Sequence, residues 1–159
     1  MTQFGFLALA LALTSANPAP PACADGQTIK AARLQEFQTM MMAVSLRCVG
    51  IGVDMQGDFE ALLAKHQGDF SGAGRQVQGF FGATAKRGGA YDRYSVAVAN
   101  KYGGGKTTPR NCKLLQKVLT ELIRISDKGS VLVAVTEAMI PRSLLEALVC
   151  PLGAGAPKD

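Results

Sequence analysis

Tryptophan is absent from the 159 residues, histidine occurs once, and aromatic residues make up 6%. A single histidine, His66, with no cysteine near it in sequence, offers neither a metal-ligand cluster nor a general base with partners. Charged residues are also scarce, at 18%. Long apolar runs are missing too. The longest, Phe4 to Leu13, has roughly 10 residues, well short of the roughly 20 that a membrane-spanning helix needs. No Gly-x-Gly-x-x-Gly follows a strand-like segment, so a dinucleotide fold is not expected. Acidic residues nearly vanish from the middle of the chain, where nine Lys and Arg between Arg75 and Lys117 face Asp92 alone. The net charge of +5 therefore belongs to that segment. Most such segments are a hydrated surface, and some meet an anionic partner.

What is present begins with an export signal. The short apolar run leads through small residues and prolines to Ala22-Cys23-Ala24, a small-x-small site before Asp25. The expected organisation is a leader over residues 1–24, a helical domain over 25–150 and a flexible tail over 151–159. Met1-Thr2-Gln3 lacks the usual positive charge, and Thr14-Ser15-Ala16 offers a second cleavage site. Cleavage after Ala24 leaves Cys48, Cys112 and Cys150; cleavage after Ala16 keeps Cys23 as well. Four cysteines allow three pairings. A bacterial periplasm is the expected destination, a compartment that supports disulfides.

The expected fold is all-α, an irregular bundle of five to six short helices with one structural disulfide. Leu34, Phe37, Met41, Val44 and Cys48 step by three and four residues along one helix face, over Thr28 to Cys48, with Thr28 as N-cap. Met40 and Met42 flank Met41 and widen that stripe into core. Further helices are expected over Asp54–His66, Ser71–Lys86 and Ala90–Tyr102, ended or weakened by glycines. Thr108 followed by Pro109 is the strongest helix start in the chain, opening a helix to about Ser126. Cys112, Leu115, Leu119 and Leu122 repeat the three-four spacing there. If these two helices pack with their cysteine ends together, Cys48 and Cys112 meet. A last helical segment starts at Ser130, is interrupted by Pro141 and runs to Cys150.

Gly105-Lys106-Thr107 resembles the end of a phosphate-binding loop. That motif also needs glycine where Asn100 stands, and a strand leading in where the pattern is helical. The loop still combines glycines, flanking lysines and a helix N-terminus, whose free amides favour anions. Lys101, Gly103, Gly104, Gly105, Lys106, Arg110 and Lys113 are the candidate anion-binding residues. No catalytic residue, metal site or cofactor is implied.

Three stretches, Met40 to Cys48, Asp92 to Gly103 and Cys112 to Leu115, together resemble a family of small secreted alphaproteobacterial helical proteins of unassigned activity. Some members carry the name S-adenosylhomocysteine hydrolase, which these residues do not support. The resemblance implies a secreted helical domain. The expected function is an exported accessory or binding protein without catalytic activity, its partner an envelope protein or an anionic ligand. An anion or headgroup binder acting through residues 101–113 and a periplasmic stress chaperone are the alternatives. A membrane surface is open to it as a partner; nucleic acid is not expected.

Overall fold

The computed structural model describes residues 23–84, 89–126 and 129–149. These form seven helices: α1 Gly26–Val49, α2 Gln56–Lys65, α3 Gln67–Thr84, α4 Ala90–Gly103, α5 Pro109–Arg124, α6 Ser130–Met139 and α7 Leu144–Val149. No strand occurs among the described residues. Seven exceeds the expected five to six because Pro141 divides the last segment. Ile140 leaves helical geometry, and the Ser143 hydroxyl then accepts from the Glu146 amide at 3.0 Å to start α7. Residues 1–22 of the expected leader, most of the loop before α4 and the tail fall outside the described residues.

Helix α1 is the axis of the bundle and touches all six others. The expected seam is its buried face: Leu34, Phe37, Met41, Val44 and Cys48 pack with Met55, Phe59, Leu62, Leu119 and Leu132. A second face is also covered, where Ala32 meets Val77, Tyr94, Val98 and Leu145. Met42 departs from the expected core role: it is 48% exposed, while Met41 is fully buried. The wheel explains it, since a helix with two buried faces still turns its third outward.

The helix starts differ in detail from the expected ones. Asp25, not Thr28, caps α1, its carboxylate accepting from the Thr28 amide at 2.7 Å. Asp54 accepts from the Gln56 amide at 3.0 Å just ahead of α2. Helix α3 begins at Gln67 rather than Ser71, separated from α2 by His66 alone. Thr108 caps α5 as expected, accepting from the Asn111 amide at 3.2 Å. Gly129, not Ser130, precedes α6 at φ +99°, and a Cβ there would lie 3.1 Å from Asp69 Oδ2. Glycine is needed at that position on both counts.

Cys48 and Cys112 are joined by a disulfide with their Cα atoms 5.8 Å apart. It closes a separation of 64 residues. In the chain-entropy picture a loop of that size stabilises the fold by about 4 kcal/mol. Cys23 is disulfide-bonded as well.

Candidate functional site

An α-helix leaves four C-terminal carbonyls without an intrahelical partner, and at the ends of α4 and α5 cations from other elements meet them. Arg47, in the last turn of α1, donates through Nη1 to the carbonyls of Tyr102 and Gly103 at 2.9 and 3.0 Å, and through Nε to Thr107 Oγ1 at 2.9 Å. Lys65, in the last turn of α2, donates to the carbonyls of Leu122, Ile123 and Ile125 at the end of α5. Arg33 donates to the carbonyl of Pro141 at 2.9 Å and pairs with Glu146 at 3.2 Å. The glycine loop is therefore pinned at both ends, by Arg47 before it and the bridge at Cys112 after it.

The largest polar cluster gathers around Glu36, a carboxylate with no exposed surface. It lies one residue off the apolar seam and one turn after Ala32, on the second buried face of α1. The Tyr102 hydroxyl donates to it at 2.8 Å and the Lys101 ammonium at 3.1 Å. Tyr94 reaches it at 3.5 Å, and the Leu144 amide at the start of α7 also donates. Four donors satisfy the carboxylate, as a buried charge requires. Burial, reinforced by the Glu36 charge, drives the Tyr94 phenol well above the ordinary tyrosine range. Burial likewise raises Tyr102, the Glu36 contacts adding to it and Lys101 opposing. For Lys101, burial works against the charge, yet hydrogen bonding to Tyr102 and attraction to Glu36 outweigh it and raise the ammonium. Glu36 thus fastens α1 to α4 and α7. His66 is also buried, its Nδ1 lying 3.0 Å from Asp69 Oδ2.

This arrangement divides the residues expected to bind an anion. Lys101 is turned inward to Glu36, and the Gly103 carbonyl is taken by Arg47. Gly104, Gly105, Lys106, Arg110 and Lys113 remain exposed. Arg110 and Lys113 lie in the first turns of α5, with Lys117 one turn further. Lys106, Arg110, Lys113 and Lys117 form no ion pair among the described residues. No acidic residue occupies that first turn, although the helix dipole favours one there.

Beside this basic row lies an apolar groove of about 250 Å³ between α5 and α6. Leu114, Val118, Leu122, Ile125, Val131 and Val135 line it, with Lys117 and Glu121 contributing their stems. Leu114 is 62% exposed and stands between Lys113 and Lys117. Lys117, Leu114 and the α6 valines were not among the expected site residues. The four-residue step from Val131 to Val135 is the available signal, and it is weakened because a β-branched run also suits a strand.

Among the described residues no group of three or more His, Cys, Asp or Glu side chains could hold a metal ion, and no helix is long and apolar enough to cross a membrane. Fold and surface define a small all-α, disulfide-linked protein with a basic face bordering a carbon-lined groove. No family model, curated protein or solved structure matches the chain.

Proposed function

We propose that this is an exported accessory protein that binds anionic amphiphiles, molecules with an apolar chain and an acidic head, along α5. The observation that carries the reading is the row Arg110, Lys113 and Lys117, without ion pairs among the described residues, beside a groove lined almost wholly by carbon. A cationic rim next to an open apolar groove matches both halves of such a ligand. Export is supported by the leader-like N-terminus and by the disulfides, which persist in oxidising compartments.

The test is binding to vesicles containing phosphatidylglycerol, and separately to a fluorescent long-chain fatty acid. Each Lys near an anionic surface contributes about 1 kcal/mol, so K113A/K117A weakens vesicle binding about 30-fold, and added salt weakens it further. L114D, at an exposed position, reduces binding of both ligands without unfolding the chain. Unchanged affinity in both variants overturns the reading.

A second reading, docking to an envelope protein, is favoured by the outward stripe Met42, Leu46, Val49 and Ile51, each more than 40% exposed. A photo-crosslinker placed at Leu46 then gives one discrete adduct, and one at the equally exposed Val96 gives none. Many diffuse adducts at Leu46 point instead to the chaperone alternative.

A further inference from the structure

The residues just before α1 belong to the folded body. Cys23 is disulfide-bonded, Ala24 packs against the cluster of Ala32, Val77, Tyr94, Val98 and Leu145, and Asp25 caps the helix through the Thr28 amide. Cys48 and Cys112 are joined to each other, so the bridge that holds Cys23 is a second one, and Cys150 is the remaining cysteine of the sequence. Cleavage between Ala24 and Asp25 would discard half of that bridge, strand a thiol, and remove Ala24 from its packing. It would also place a protonated α-amine on the cap residue, at the positive end of the α1 dipole.

We infer that the leader is removed upstream of Cys23, at the Ala16–Asn17 bond, and that the mature chain keeps Cys23 as half of a second disulfide. The inference rests on the export reading above. Thr14 and Ala16 supply the small residues that the processing peptidase needs, and Asn17 to Ala22 become a short segment ahead of the bridge. Water adds across the Ala16–Asn17 amide, giving a new carboxylate and a new amine. Each bridge then forms as two thiols give up two protons and two electrons to a disulfide-carrying oxidase, which leaves as its dithiol.

The experiment is intact mass of the exported full-length product, alkylated before and after reduction. The expected mature chain starts at Asn17, takes no alkyl group before reduction and four afterwards, one for each cysteine of the sequence. C150S then exposes one alkylatable thiol, mapped to Cys23. A chain starting at Asp25, with one cysteine alkylated before reduction, overturns the cleavage site while leaving export intact. An uncut chain starting at Met1 overturns export and the cleavage site together.

Discussion

Replacing Glu36 by alanine removes the acceptor on which four donors converge. Two of them have little access to water: the Tyr94 hydroxyl, on a residue 4% exposed, and the part-buried Leu144 amide at the start of α7. Each orphaned buried donor costs about 1–3 kcal/mol. Lys101 is 38% exposed and regains hydration, so its freed charge adds little. The expected loss for E36A is therefore about 3–5 kcal/mol. That is a third or more of the stability of many domains this size. Glutamine keeps an oxygen for the Leu144 amide, and a tyrosine hydroxyl can rotate to accept from its NH₂. E36Q loses mainly charge assistance, about 1–2 kcal/mol. K101M leaves the carboxylate its three other donors and costs a similar amount, and about 1 kcal/mol less when made in the E36Q background. Urea unfolding at neutral pH, followed by circular dichroism with unchanged m-values, measures all four variants. The reasoning fails if E36A lies within about 1 kcal/mol of the parent chain, or if E36Q costs as much as E36A. Should E36A not fold, the E36Q and K101M cycle still decides it.

Arg47→Met removes three charge-assisted hydrogen bonds, and the expected cost is about 2 kcal/mol together with faster amide exchange in residues 104–107; unaltered exchange there would contradict the clamp. Folding raises the pKa of Tyr94, Tyr102 and Lys101, so above about pH 10 the native chain holds protons that the unfolded chain releases. Stability is then expected to fall as pH climbs beyond that value, and less steeply in Y94F, as alkaline melting curves would show. At the other extreme, the Thr28 amide lowers the Asp25 pKa, so the cap contributes stability above the ordinary aspartate value and loses it as pH falls through the lowered one. The Thr28 amide resonance should follow that titration by NMR, and D25N should keep the cap while abolishing the pH dependence.

The seam of α1 was legible because its period is local: five side chains at steps of three and four declare one buried face within a single helix. The Thr108-Pro109 start is local in the same way. Cys48 and Cys112 stand at the facing ends of two such seams, which is why the spacing itself suggests their pairing. Glu36 was not legible. One carboxylate among Leu34, Gln35 and Phe37 looks like the edge of a solvated face, and its partners lie 58 to 108 residues away. Lys101 reads as part of the glycine loop for the same reason, since the sequence shows its neighbours and not the carboxylate it reaches. Met42 shared its neighbours' hydrophobicity but not their azimuth. The groove needs two helices, and neither α5 nor α6 contains it alone.

The bridge between Cys48 and Cys112 makes a covalent ring of everything from the end of α1 to the start of α5, with α2, α3 and α4 wholly inside it. A protease that cuts this ring once produces two termini but no departing fragment. The nicked protein stays one molecule on a non-reducing gel and separates into two only when reductant is added. In an oxidising compartment rich in proteases, a single cut in the middle of the chain would open a loop without dismantling the bundle.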